Sequence, residues 1–205
     1  MDKTKVINRM DETREQELIN SMDADDKVNT IFNYYEEFGC KNYIGEEVTQ
    51  IEHMVQAAML SEENNDCVEV ILGSLFHDIG HLIAFDKETM GGFGIKNHQT
   101  LGANFLRNLG IPEIIPELVE SHVNSKKYLA RDKNYYNKLS KASQTTLKYQ
   151  GGCFNEMEAK EYEKLPNFEL YIKIRLYDDE AKEVNKKIKS LSYYKSMLSN
   201  YLNKI

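Results

Sequence analysis

The most apolar stretch of this chain, Val70-Ile71-Leu72 through Leu75-Phe76, runs straight into two ionisable residues, His77 and Asp78. A segment that apolar reads as a buried helix rather than a surface one. A carboxylate carried at its end enters a low-dielectric interior. Unpaired, it would cost roughly several kcal/mol. The fold must therefore place this helix at its centre and give Asp78 a partner.

The rest of the chain is read as helices around that segment. Only three prolines occur, at 112, 116 and 166, and apolar residues recur at helical spacing, which predicts an all-α chain. Asp23 caps a helix running toward Tyr35, which Gly39 breaks. Thr49-Gln50-Ile51-Glu52 reads as a capping box, opening a helix with Ile51, Val55, Ala58 and Met59 on one face. Asp66-Cys67-Val68-Glu69 is a second box-like start, for the apolar helix itself, with Gly80 near its end. Asp86 to Gly94 reads as a flexible loop. Further helices are expected from Gln99 to Leu109, closed by Gly110; after Pro112; from Asn155; and from Phe168 onward. The organisation expected is a charged extension at 1–20 and a single domain over 21–205, with no internal repeat.

Composition excludes several classes. The chain has 205 residues, 41% hydrophobic and 29% charged, enough for one sizeable core and not the signature of a disordered chain. A net charge of −7 argues against a nucleic-acid binder. Cys40, Cys67 and Cys153 are odd in number and widely spaced, which disfavours a disulfide framework or a thiolate zinc site and implies a reducing compartment. Neither a secretory signal nor a transmembrane span is read, so the expected location is cytoplasmic, with no membrane partner. The Gly91-Gly92-Phe93-Gly94 run is no phosphate loop, since no strand precedes it and no Gly-Lys-Ser/Thr follows.

All five histidines, His53, His77, His81, His98 and His122, fall within seventy residues of one another. A lone histidine on an apolar face is usually a satisfied core residue. Five in helical surroundings, one followed directly by Asp78, point instead to a metal, the simplest partner for imidazole and carboxylate together. Such donors without thiolate suit iron, manganese, zinc or nickel. His77 and His81 are neighbours on a helix face. His77 and Asp78 diverge by about 100° in a regular helix, so both reach one centre only near a helix end, or if Asp78 bridges two metals. A buried polar network without metal is the plainer alternative.

His53, His77-Asp78 and the distant Asp178 resemble the H…HD…D signature of the HD-domain superfamily. Further stretches sharpen the likeness: Tyr43-Ile44-Gly45-Glu46; His122-Val123-Asn124-Ser125-Lys126-Lys127-Tyr128-Leu129; Leu139 to Ser143; Leu147 to Gly152; and Arg175 to Lys182. Over roughly residues 30–185 the chain is similar to the HD-domain mixed-valent di-iron oxygenases that degrade phosphonates. The resemblance implies an all-α helical bundle around a dinuclear site holding two iron ions, Fe(II) and Fe(III). One iron would take His53, His77, Asp78 and Asp178; the other would take Asp78, His98 and His122, with Asp78 bridging. Six protein ligands would leave positions open for substrate and O2. His81 would face the substrate as a non-ligand. Lys126, Ser143, Gln150 and Arg175 would bind a small organophosphonate, Arg175 with a planar fork suited to its oxygens. Tyr43 and Glu46 would form a lid, the tyrosine holding an iron position until substrate arrives.

The implied reaction is O2-dependent cleavage of the carbon–phosphorus bond of a 1-hydroxy-2-(trimethyl)aminoethylphosphonate, giving glycine or glycine betaine plus phosphate. A primary ammonium would want a carboxylate such as Glu46, and a trimethylated one would want aromatic faces. Two competing readings share the same core residues: a metal-dependent phosphohydrolase acting on a nucleotide or phosphate ester, and a non-catalytic metal-binding regulatory module.

Overall fold

A computed structural model describes Ile19 and residues 21–43, 45–84 and 88–205. Nearly all of the expected 1–20 extension, together with Ile44, Asp86 and Lys87 of the expected lid and loop, lies outside these residues.

Eleven helices are present among the described residues, and the only β pairing there is two isolated bridges, Asn42 with Thr49 and Thr89 with Ile95. The all-α expectation holds. In chain order the helices are α1 Ala24–Phe38, α2 Gln50–Glu63, α3 Val68–Phe76, α4 Gly80–Ile83, α5 His98–Asn108 and α6 Ile114–Leu129. They continue with α7 Lys133–Lys138, α8 Lys141–Tyr149, α9 Glu156–Glu163, α10 Phe168–Glu180 and α11 Leu191–Leu202. Among the described residues, no helix is long and apolar enough to cross a membrane.

Local chemistry sets most boundaries. Asp23 accepts from the Asp26 amide at 2.7 Å and starts α1. The Thr49–Glu52 capping box forms as expected and starts α2. The box-like start at Asp66 does not form. Cys67 is the N-cap of α3 and makes no side-chain cap, because Asp66 is drawn away to Ser61, Lys173 and Tyr177. A tertiary ion pair between α10 and the α2–α3 turn therefore outcompetes a local cap.

The apolar helix α3 is central, with Val70, Leu72, Leu75 and Phe76 almost wholly buried. It packs between α2 and α6, and α10 crosses α2, α3 and α6 from the other side. One apolar cluster joins α1, α2, α3, α5 and α11 through residues such as Phe32, Met54, Leu75, Leu106 and Leu198. A second joins α6, α9 and α10 through Leu118, Tyr162, Tyr171 and Ile174. The elements that carry the histidines and Asp178 meet in the middle of this packing.

Helix α3 stops at Phe76 and the chain turns through His77–Ile79 into the short α4. Gly80, expected near the helix end, has a tertiary reason to be glycine. A Cβ there would lie 1.9 Å from the His98 carbonyl oxygen, so only glycine lets α4 pack against the first turn of α5.

Candidate metal centre

His53 lies on α2, His77 and Asp78 follow α3, His98 opens α5, His122 sits mid-way along α6 and Asp178 near the end of α10. All six are buried, His53 and His77 completely. Their ligand atoms form two groups, His53–His77–Asp178 and Asp78–His98–His122, each compact enough to hold one metal ion.

The four imidazoles of these groups share one arrangement. Each turns its Nδ1 to a backbone carbonyl: His53 to Ala181 at 2.9 Å, His77 to Ser74 at 2.7 Å, His98 to Ile95 at 3.0 Å and His122 to Val119 at 2.7 Å. A carbonyl only accepts, so Nδ1 carries the proton and Nε2 keeps its lone pair. Those lone pairs converge. His53 Nε2 lies 3.0 Å from His77 Nε2, and His98 Nε2 lies 3.0 Å from His122 Nε2. Two bare lone pairs at that separation repel unless a proton or a metal ion lies between them. The donors present therefore fit a metal in each group.

Asp78 stands between the groups. Its Oδ1 is 3.2 Å from His98 Nε2 and 3.5 Å from His122 Nε2. Its Oδ2 is 3.5 Å from His77 Nε2 and 3.6 Å from His53 Nε2. The turn after α3 is what allows adjacent His77 and Asp78 to serve one centre. Asp178 Oδ1 closes the first group, 3.3 Å from His53 Nε2.

The electrostatics also call for positive charge. Burial opposes ionisation of both carboxylates, yet His77 holds Asp78 well below the usual range, and Arg175 does the same for Asp178. Burial likewise opposes a charge on His77, but Asp78 and Asp178 outweigh it and raise that imidazole to about 9. His122 moves the other way, pushed well down by burial and by His98.

His81 differs from the other four. The Ile95 amide donates to its Nδ1 at 3.1 Å, so the neutral ring carries its proton on Nε2 and offers a donor, not a lone pair. Burial and the neighbouring His98 push it down to about 3, and it stacks on His98 at 4.0 Å between ring centroids. Gly94 makes room, since a Cβ there would lie 2.8 Å from His81 Cε1. The Ile95 amide on Nδ1 thus sets the fifth histidine apart from the other four, although it stands one turn from His77.

A cavity of about 210 Å³ opens onto Asp78, His98, His122 and Asp178. Every expected site residue outside the two ligand groups also lines it: Tyr43, Glu46, His81, Lys126, Ser143, Gln150 and Arg175. Lys126, almost fully buried, donates to Thr146 Oγ1 at 3.0 Å, and burial together with Arg175 lowers it to about 7. Arg175, expected to bind a substrate, already has partners: Asp178 at 2.7 Å, Asp179, and the Tyr135 hydroxyl at 3.1 Å. The Tyr43 ring stacks on His53 at 4.1 Å, and burial and Asp78 push its phenol well above the ordinary tyrosine value. Among the described residues Glu46 Oε1 has no hydrogen-bond partner, and it lies 3.6 Å from Lys182 Nζ.

Sequence reasoning missed Gln50, Thr146, Asp179, Tyr135 and Lys182. Asp179 was legible, four residues after Arg175 on one helix face. Gln50, Thr146, Tyr135 and Lys182 reach the site only through tertiary packing.

The HD domain family model matches residues 51–173. An uncharacterised protein of Acanthamoeba polyphaga mimivirus is 42% identical over 86% of this chain and 82% of its own length. The [1-hydroxy-2-(trimethylamino)ethyl]phosphonate dioxygenase (glycine-betaine-forming) of Leisingera caerulea is 35% identical over 86% of this chain and 91% of its own. The hydroxymethylphosphonate dioxygenase of Gimesia maris is 31% identical over 86% and 89%. With its paired histidines and shared Asp78 at the core of an all-helical bundle, the chain belongs to the HD domain family and is homologous to these phosphonate dioxygenases.

Proposed function

We propose that this protein is a di-iron oxygenase that uses O2 to cleave the carbon–phosphorus bond of a small 1-hydroxyphosphonate bearing an ammonium group. The observation that carries this reading is the placing of two three-ligand groups around Asp78 at the floor of a small cavity with a cationic wall. The names of two relatives point to phosphonates and to O2. Iron is the metal this donor set and that chemistry favour.

The bound pair would supply the redox chemistry with O2. The residues of this chain would do the rest. Lys126 and Arg175 would bind the phosphonate oxygens by charge-assisted hydrogen bonds, with Ser143 and Gln150 beside them. His81 would donate from Nε2 to a substrate oxygen. Tyr43 and Glu46 would cover the cavity and exclude water. The overall reaction adds two oxygen atoms, one to the carboxylate product and one to phosphate.

The cavity also bears on the substrate's other end. Glu46, Gln50 and Gln150 each present a buried oxygen with no hydrogen-bond partner among the described residues. The amides can rotate, but the carboxylate can only accept. Buried acceptors call for N–H donors, which a trimethylammonium lacks. Among the described residues, Tyr43 and Phe93 are the aromatic residues of the lining, which is less than an aromatic cage. We therefore favour 2-amino-1-hydroxyethylphosphonate, with glycine and phosphate as products, over its trimethylated counterpart. A nucleotide phosphohydrolase is disfavoured by a volume below the ~300–1,000 Å³ of ordinary ligand pockets.

The deciding experiment measures O2 uptake and phosphate release by iron-loaded protein with both hydroxyphosphonates, and with nucleoside monophosphates as controls. Coupled O2 consumption and phosphate release, larger for the primary amine, is expected. Phosphate release from a nucleotide without O2 would overturn the proposal.

A further inference from the structure

Two segments remote in sequence meet at the cavity mouth. The first is the loop from Asn42 to Thr49, closed by the bridge between those residues, by Tyr43 N–H donating to Val48 at 2.9 Å and by Glu46 N–H donating to Tyr43 at 3.0 Å. The second is the chain leaving α10, and it is firmly held. The Ala181 carbonyl accepts from His53 Nδ1, and Gln56 clasps the Glu183 backbone with two hydrogen bonds of 2.9 Å. Lys182 stands between those anchors and projects to Glu46 of the loop.

Lys182 and Glu46 face each other at 3.6 Å, with both side chains only 15% exposed. At that depth a carboxylate needs a counter-charge. The separation is too long for a hydrogen bond, so Glu46 Oε1 keeps its acceptor capacity while its charge is balanced. Tyr43, on the same loop, rests on His53, whose ring is held by the residue next to Lys182. Of the loop's contacts, the Glu46 one therefore ends on the α10 exit and the Tyr43 one reaches it through His53.

We infer that Lys182 is a positioning residue for the 42–49 loop: it holds Glu46 over the cavity as a charged acceptor left free for a substrate donor. Lys182 lies outside the HD-matched residues 51–173, and its ion-pair partner is Glu46 rather than one of the six candidate ligands. The inference deepens the proposed function and rests on it only where substrate affinity is read.

The test uses metal-loaded protein in four forms besides wild type: Lys182→Met, Lys182→Arg, Glu46→Gln, and Lys182→Met combined with Glu46→Gln. The first readout, hydrogen–deuterium exchange across 42–49, needs no ligand. Lys182→Met should accelerate it roughly three- to tenfold, the range of a partly buried ion pair, and Lys182→Arg should restore protection. The second readout is anaerobic binding of 2-amino-1-hydroxyethylphosphonate. Lys182→Met should weaken it by a similar factor, and the double variant should be no weaker than Glu46→Gln alone. Unchanged exchange in Lys182→Met, or a loss that adds in full to that of Glu46→Gln, overturns the inference. If wild-type protein binds no phosphonate, the proposed function fails, and the exchange data alone decide the role of Lys182.

Discussion

Arg175 donates from Nη1 to Oδ2 of Asp178 at 2.7 Å, leaving Oδ1 of the same carboxylate 3.3 Å from His53 Nε2. One guanidinium therefore reaches two places. It orients a carboxylate of the first metal group and forms part of the cationic wall of the cavity.

The expected phenotype of Arg175→Ala is correspondingly double. Loss of a partner that orients a metal ligand lowers metal affinity about 10- to 100-fold. Loss of a charge-assisted hydrogen bond to substrate raises its Kd by roughly 10- to 150-fold. Metal titration and anaerobic substrate binding should show both losses. A variant that binds metal normally and loses only substrate would limit Arg175 to the cavity wall.

Asp78 faces the four imidazoles of the two groups with its two oxygens, two on each side. Asp78→Ala should therefore empty both groups, whereas His122→Ala should chiefly weaken one. Metal content by mass spectrometry after gel filtration measures this. Full dinuclear occupancy in Asp78→Ala would rule out a shared ligand.

Anion binding should depend on pH through Lys126. Burial and Arg175 bring this ammonium down to about 7, so it is charged below that pH and neutral above it. Affinity for sulfate, which stays dianionic throughout, should fall as pH rises from 6 to about 8. Lys126→Met should bind sulfate more weakly at pH 6 and lose that step. Calorimetry of the metal-loaded protein reads it directly; a step that survives in Lys126→Met assigns the titration to another group.

Tyr43 rests on His53 and its phenol is directed toward Asp78. If it shields the centre, Tyr43→Phe should keep the fold and the ring packing. Loss of reduced iron to O2 without substrate should then be faster. Stopped-flow oxidation compares the two proteins; equal rates would make Tyr43 a packing residue only.

Gly80 offers a test of stability. Its absent Cβ would lie 1.9 Å from the His98 carbonyl, so Gly80→Ala must separate α4 from α5. Overpacking of this kind costs about 1–3 kcal/mol, and here it also displaces His98. Thermal melting should show the loss of stability, and metal titration a weakened second group. A melting temperature like that of the wild type would show that the contact relaxes easily.

Helix positions, caps and the metal-ligand types were written in the sequence because they depend on short spacings. Thr49 and Glu52 cap each other across three residues. Val70 to Phe76 are apolar enough to demand the centre of the bundle, and that alone forces His77 and Asp78 to find charged or metallic company. The family likeness carried the same six residues to one place. Local spacing could not decide how groups distant in the chain divide the work. Nothing near His81 says that the Ile95 amide will occupy its Nδ1 and make it a donor while four other histidines keep their lone pairs. Asp66 reads as a cap until Lys173 and Tyr177 arrive from α10. Arg175 reads as an open fork until Asp178 and Asp179 fill most of it. Which hydrogen-bonding atom remains available is set by competition among partners across the whole fold, and only the packed structure determines that outcome.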